Sequence, residues 1–347
     1  MTSTRAYATH SATTPIVPFT FEARPLGARD VSIDILFCGV CHSDIHQARN
    51  EWGGSAYPMV PGHEIVGRVR EVGAEVTKVA VGDLAAVGCM VDSCRVCASC
   101  KDGEEQHCET RAVWTYNSTH FDGTPTYGGY AERITVDEAF TLVVPKGMDL
   151  ARTAPLLCAG ITTWSPLKHW GIGPGHKVAI VGLGGLGHMG LKLAHSLGAH
   201  VTQLTTSPGK ADDARRLGAD DVVVTRDAAA VKALRGRFDF ILDTVSAPHD
   251  LGTYLGMLAR NGSMVLVGLP EKPAVVAAGM LAAKRRRLAG SSIGGIAETQ
   301  EMLDYCAAHD LAADIELIPI QKINEAYDRL MANDVKYRFV IDMASLR

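Results

Sequence analysis

Residues 177–190, KVAIVGLGGLGHMG, carry an apolar strand into a glycine-rich turn and out into a helix, and that reading decides the fold. Gly182, Gly184 and Gly187 give the GxGxxG spacing, with Gly185 and Leu186 inside the same turn. Such glycines permit a tight turn and bring backbone N–H groups against a pyrophosphate at the positive end of the following helix. Glycines also mark ordinary turns, so context carries the argument. The all-apolar VAIV precedes the turn, and Leu186, Met189, Leu193 and Leu197 follow at i, i+3, i+7 and i+11, which predicts one buried helix face. Outward from this unit, the strand-like runs HVTQLTT, DDVVVT, FDFILDTV, SMVLVGL and RRLAGSSI alternate with helical segments. Two βαβαβ halves, forming a doubly wound parallel sheet of Rossmann type, are expected over residues 158–295.

The flanks have a different texture. Up to about residue 150, short β-rich runs broken by glycine and proline (VSIDILF, IVGRVREVG, LAAVG, YAERITV) predict a barrel-like β domain over residues 1–157. Beyond residue 296 come a helix (AETQEMLDYCAAH), a strand (DIELI), a helix (INEAYDRLMAND) and a strand (YRFVIDM). Periodicity leaves open whether these extend the parallel sheet or return to the first domain. The fold class is thus α/β, with 347 residues enough for two domains.

Composition narrows the function classes. The chain is 47% hydrophobic with a formal net charge of −4 and no apolar run of transmembrane length, so neither nucleic acid nor membrane is expected as a partner. The run Lys284-Arg285-Arg286-Arg287 reads as the solvated end of a helix rather than a localisation signal. The opening MTSTRAYATH has no secretory pattern, so a cytoplasmic location without persistent disulfides is expected.

Cysteine and histidine carry the chemistry. GVCHSDIHQ (39–47), VPGHEIVG (60–67) and APLLCAGIT (154–162) supply Cys41, His63, Glu64 and Cys158, a donor set for a catalytic zinc that keeps one position open. A lone cysteine is more often a small buried hydrophobe, but the crowding of Cys41, His42, Ser43, Asp44 and His46 into six residues argues otherwise. Asp44 is suited to accept the second ring N–H of His63 and fix its tautomer. Separately, Cys94, Cys97, Cys100 and Cys108 give C-x2-C-x2-C-x7-C, four thiolates from one loop, as a closed structural zinc requires. An iron–sulfur cluster fits the spacing alone, but the loop lacks the further cysteine and proline of the bacterial ferredoxin run. Cys38 and Cys306 read as core residues. A metal beside a nicotinamide cofactor implies alcohol or aldehyde redox chemistry. Cofactor choice is also readable. The second strand of the dinucleotide unit ends in Thr205, Thr206 and Ser207 with no carboxylate to accept from a ribose 2′-hydroxyl, and Lys210 follows, so NADP is expected over NAD.

With these residues in hand, the chain resembles the zinc-dependent medium-chain alcohol dehydrogenases, and within them the cinnamyl alcohol dehydrogenase group with its bacterial broad-range aldehyde reductases. The likeness runs nearly end to end, through GVCHSDIH, YPMVPGHEIVGRV, the four-cysteine loop, TYGGYAE, APLLCAGIT, GLGGLGHMG and VKYRFVID. It implies a GroES-like β-barrel catalytic domain over 1–157 and 296–347, two zinc ions, NADP, and a homodimer meeting through the LAGSSI region. It also implies that Cys41, His63 and Cys158 ligate the catalytic zinc, that Glu64 can approach it, that Ser43 touches the substrate oxygen, and that His46 ends a proton relay. His42 falls near the cofactor pyrophosphate and Thr162 beside the nicotinamide. Trp52, Cys89, Trp114, Ser292 and Ile293 fall at substrate-cleft positions. Ser292 and Trp52 depart from the plant enzymes, which carry a phenylalanine and a smaller aliphatic there. The activity implied is interconversion of aldehydes and primary alcohols, with a polyol or secondary-alcohol dehydrogenase as the rival. A catalytically silent nucleotide-binding protein would have no need of the full ligand set. A nucleic-acid-binding zinc module is opposed by Asp92, Asp102, Glu104 and Glu105 around the cysteine loop, against only Arg95 and Lys101.

Overall fold

A computed structural model describes residues 3–270 and 273–346. The chain divides into two compact units, one comprising the chain up to Ile161 and from Gly294 on, the other Thr162–Ile293. Cys158 and the stretch to Ile161 therefore group with the first unit rather than with the dinucleotide-type sheet.

In the first unit a seven-stranded sheet is built around the long strand Asp30–Val40, eleven residues that are nearly all buried. Strand Ile65–Val72 pairs antiparallel with it on one side and Arg338–Asp342 on the other, while Arg133–Asp137 also pairs with its first half. Ile315–Pro319 pairs parallel with Arg338–Asp342, so the last two strands join this sheet and not the parallel one. That pairing settles the question periodicity left open. It also sets Arg338, at the start of its strand, in the sheet whose strand Ile65–Val72 begins directly after Glu64.

The second unit is a six-stranded parallel sheet in the order Asp221–Val224, His200–Thr205, Lys177–Val181, Phe238–Asp243, Leu258–Leu266, Arg287–Gly290. Numbered along the chain this is 3-2-1-4-5-6, the doubly wound order, whose direction reverses between Lys177–Val181 and Phe238–Asp243. Burial on both faces explains why Lys177–Val181 and His200–Thr205, inside the sheet, do not alternate; Val181, Phe238, Ile241 and Met264 join Leu251 and Leu255 in one core cluster.

The helix after the glycine turn spans Gly187–Ser196. Met189 and Leu193 are fully buried on it, but Leu186 and Leu197 are only half-buried, and Leu191 and Ala194 take the core positions instead. The predicted stripe was therefore too narrow: Gly187 to Leu191 are buried on every face of the helix's start, while Leu186 and Leu197 are the capping residues just outside it. The basic run follows the helix Ala278–Ala282 with Lys284, Arg285 and Arg287 exposed, as a solvated helix end should be, but one of its members turns inward. Arg286 donates to the carbonyls of Leu258, Met280 and Gly256, and Arg287 opens the edge strand. Among the described residues no helix is long and apolar enough to cross a membrane.

Two glycines of the turn have opposite steric settings. A Cβ at Gly187 would lie 2.2 Å from the Gly182 carbonyl oxygen, whereas nothing lies within 4 Å of one at Gly184. Gly187→Ala is expected to cost about 1–3 kcal/mol and lower the melting midpoint. Gly184→Ala should melt with the parent, and equal midpoints for both variants would contradict this account of the turn.

Candidate active site and metal centres

Two donor clusters stand apart. The first unites Cys41, His63, Glu64 and Cys158, all buried, with one ligand atom from each lying within 4.8 Å of the others. Cys41 sits just before the helix His42–Ala48, His63 and Glu64 just before the strand Ile65–Val72, and Cys158 just before the helix Ala159–His169. Three distant turns thus converge.

Asp44, fully buried on the first of those helices, organises them. Its carboxylate accepts from the Cys41 N–H at 2.9 Å, the Gly62 N–H at 3.2 Å and the Tyr130 hydroxyl at 3.2 Å. It also meets His63 Nδ1 at 3.1 Å, which leaves Nε2 as the ring atom for a metal. Tyr116 stacks on the His63 ring at 5.7 Å.

The electrostatics suit a cation. The sulfurs of Cys41 and Cys158 are 3.9 Å apart, far beyond a disulfide, and their hydrogen bond holds the Cys41 thiol well below its ordinary range while raising that of Cys158. Burial pulls the His63 imidazole down, but the Asp44 carboxylate outweighs it and leaves the ring well above its usual value. Burial pushes Glu64 up to about 7 against the pull of the Arg338 guanidinium, with which its Oε1 pairs. Its other oxygen, Oε2, is buried with no hydrogen-bond partner. Two sulfurs, an imidazole and a carboxylate with one unpartnered oxygen make a donor set that fits a cation, and the soft sulfur and borderline nitrogen atoms suit zinc. Gly39 is required here: a Cβ on it would overlap the Glu64 carboxylate.

Ser43 Oγ lies 3.6 Å from the Cys41 sulfur, beside this cluster. His46 is on the same helix, with Nδ1 2.5 Å from Glu51 Oε2 and its ring stacked on Trp52 at 4.9 Å. Glu51 was missed from the sequence; its place in the turn after the helix, five residues from His46, was the available signal. His42 is largely buried, and that desolvation lowers its imidazole. Cys89 sits beside Leu157, its thiol 3.7 Å from that carbonyl, while Trp52 and Trp114 remain partly exposed.

The second cluster is Cys94, Cys97, Cys100 and Cys108, again with all sulfurs within 4.8 Å. Backbone N–H groups of Cys94, Cys97, Glu109 and Arg111 each donate to a loop sulfur at 3.4 Å. Donors aimed at sulfur favour thiolate; the N–H groups of Val96 and Cys97 lower Cys94 to about 6, whereas burial pushes Cys100 up to about 12. Arg95, held at φ +60, ties the loop to Asp92 and Asp137. Four sulfurs with no carboxylate or imidazole make a closed set suited to structural zinc.

Within the second unit, Gly182 adopts φ +88, and Gln203 Nε2 donates to its carbonyl at 2.7 Å. Thr205 ends its strand buried, accepting from Ser207 N–H at 3.2 Å, and Thr206 is exposed. Lys210 Nζ reaches back to the Leu183 carbonyl at 2.8 Å, so its charge lies against the glycine turn. Thr162 is buried, Ser292 exposed, and Ile293 holds φ +41, a strained value for a β-branched residue.

Comparison with known proteins agrees with this arrangement. Residues 27–146 match the alcohol dehydrogenase GroES-like domain and residues 185–308 the zinc-binding dehydrogenase family. NADP-dependent alcohol dehydrogenase C 1 of Mycolicibacterium smegmatis is 56% identical over 100% of both chains. Aldehyde reductase YahK of Escherichia coli is 54% identical over 99% of each. The crystal structure of a cinnamyl alcohol dehydrogenase from Helicobacter pylori complexed with NADP(H) superposes with a TM-score of 0.93 at 42% identity, covering 99% of this chain and 98% of that one. Matched along its whole length, with both sulfur clusters assembled, the chain belongs to the zinc-binding alcohol dehydrogenase family, in its medium-chain form of a GroES-like domain and a Rossmann-type sheet.

Proposed function

We infer that this protein is a zinc-dependent NADP(H) alcohol dehydrogenase acting mainly as an aldehyde reductase, interconverting aldehydes and primary alcohols over a broad aliphatic and aromatic range. The observation that carries it is the buried Cys41, His63, Glu64 and Cys158 set with its orphaned carboxylate oxygen, in a chain that also builds a dinucleotide turn. The unit up to Ile161 and from Gly294 is the catalytic domain, and Thr162–Ile293 binds the cofactor.

When bound, zinc polarises the substrate carbonyl and NADPH supplies the hydride. Cys41, His63 and Cys158 hold the metal, with Asp44 fixing the His63 tautomer. Arg338 pairs with one oxygen of Glu64, and the other has no hydrogen-bond partner. Ser43 Oγ gives its proton to the developing alkoxide, and His46 restores it. Glu51 occupies His46 Nδ1, so Nε2 is the atom that exchanges the proton. Cys94, Cys97, Cys100 and Cys108 hold the second, structural zinc. The turn Gly182, Gly184, Gly185, Leu186 and Gly187 takes the pyrophosphate, with His42 and Thr162 also in contact with the cofactor. Thr205, Thr206, Ser207 and Lys210 receive the 2′-phosphate. Substrate contact is assigned to Trp52, Cys89, Trp114, Ser292 and Ile293.

The strand Arg287–Gly290 is an outer edge of the parallel sheet, and pairing with its own copy makes a homodimer the reading we adopt. Nine cysteines without a disulfide suit a reducing cytoplasm.

NADPH oxidation against a panel of aliphatic and aromatic aldehydes tests the activity directly; turnover confined to secondary alcohols or polyols would replace this reading with its rival. Cys158→Ala should abolish turnover and remove one of two zinc ions while the fold persists. Cys100→Ala should instead lower the melting midpoint, because the loop loses the metal that organises it. A Cys158→Ala enzyme of parental activity would defeat the catalytic assignment.

His46→Gln is expected to slow turnover by roughly ten- to ten-thousand-fold with both zinc ions retained, as for loss of a general acid–base group. A fall in metal content would place His46 in the wrong role. NADPH should be preferred over NADH by about ten-fold or more in kcat/KM, since a hydrogen bond to a charged group contributes about 1.5–3 kcal/mol. Thr205→Asp should reverse the order by repelling the phosphate and accepting from the hydroxyl; equal efficiencies in the parent would refute the phosphate site.

A further inference from the structure

Asp243 ends the strand Phe238–Asp243 and is 1% exposed, yet the mechanism above makes no use of it. Its Oδ1 accepts from the Val245 N–H at 3.1 Å, and its Oδ2 lies 2.7 Å from His249 Nε2. The other ring nitrogen, His249 Nδ1, lies 2.8 Å from the Ala247 carbonyl. A carbonyl and a carboxylate both only accept, so both ring nitrogens must donate, and only the imidazolium does that. The remaining surroundings are consistent with a cation. Asp250 stands next in the chain, Tyr254 presents its ring edge-on at 5.6 Å, and Gly268, Pro270, Pro273, Ala274 and Val275, which line the same hollow, carry no titratable side chain.

The segment so fixed, Thr244–His249, is wedged against the dinucleotide turn. Thr244 Oγ1 donates to the Val181 carbonyl at 2.7 Å. A Cβ on Gly182 would stand 2.9 Å from Val245 Cγ2, and one on Gly187 would stand 3.2 Å from Thr244 Oγ1. On the far side, a Cβ on Gly268 would meet the Val245 carbonyl oxygen at 2.4 Å. Backbone therefore fills both flanks, and a shift of this segment must displace the glycine turn.

We propose that His249 is a positioning residue for the cofactor: its grip on Asp243 and the Ala247 carbonyl holds Thr244 and Val245 against the glycine turn in the shape that accepts the dinucleotide. The proposal rests on the reading that this turn binds NADP(H). Because it concerns binding, its effect falls on affinity and not on the hydride step. Because it needs the imidazolium, it has a sign in pH. The ring titrates above its ordinary value, chiefly through the hydrogen bond to Asp243, so both hydrogen bonds are made below that raised pKa and one of the two is lost as pH rises through it.

The test titrates NADPH into the zinc-loaded protein by fluorescence and measures kcat and KM alongside. His249→Phe keeps a ring but removes both donors; it should weaken NADPH binding and raise its KM by roughly ten-fold, with kcat at saturating NADPH within about two-fold of the parent. His249→Arg, with a permanent charge and several donors, should recover most of that affinity. The parent should lose affinity as pH rises through that raised pKa, and His249→Arg should not. Parental affinity in His249→Phe, or a fall in kcat with affinity unchanged, would overturn the proposal. Should His249→Phe fail to fold, superimposable pH series for the parent and His249→Arg would overturn it equally. A parent that binds no NADPH at any pH would remove the nucleotide reading beneath it, an outcome separate from the others.

Discussion

The buried carboxylate of Asp44 is the constraint on which the first unit's site depends. It collects hydrogen bonds from the backbone before its own helix, from the glycine that precedes His63, from the His63 ring and from a tyrosine 86 residues away. A charge so deep would be costly if any of these donors were missing. Fully satisfied, it fixes the approach of two chain segments and so sets where Cys41 and His63 point. Glu64 is organised differently. One of its oxygens is neutralised by Arg338 from the last strand, and the other has no protein partner. The contrast separates a carboxylate that builds the site from one that remains available to it.

The two sulfur clusters reach the same end by different means. In the loop of Cys94 to Cys108 the ligands are close in sequence, and backbone N–H groups of the loop itself face the sulfurs. In the buried cluster the ligands come from separate turns, and the supporting partners are side chains. A local loop tolerates change in the rest of the fold, whereas the dispersed cluster exists only when the whole sheet is assembled.

That difference also explains what could be read in advance. The cysteine loop and the glycine turn are written in short windows, where spacing alone carries geometry, and the doubly wound sheet in the long alternation of strands with helices. Arg338 was invisible because its partner lies 274 residues away, and an arginine opening a strand carries no mark of burial. Glu51 was passed over as one acid in a polar turn, although that turn folds it back onto His46. The helix face after the glycine turn was misjudged at both ends, since a single-face periodicity does not describe a helix enclosed on several sides, as the burial of Leu191 and Ala194 shows. Arg286 likewise looked like a surface cation, because nothing in its own segment signals the three carbonyls that it satisfies.

Lys210 has a consequence for how cofactor choice can be changed. Its ammonium donates to the Leu183 carbonyl within the glycine turn. One residue therefore serves the integrity of the turn and the sign of the local field together. Replacing this lysine to alter the local charge would also remove an anchor of the turn, so the two properties cannot be changed separately at this position.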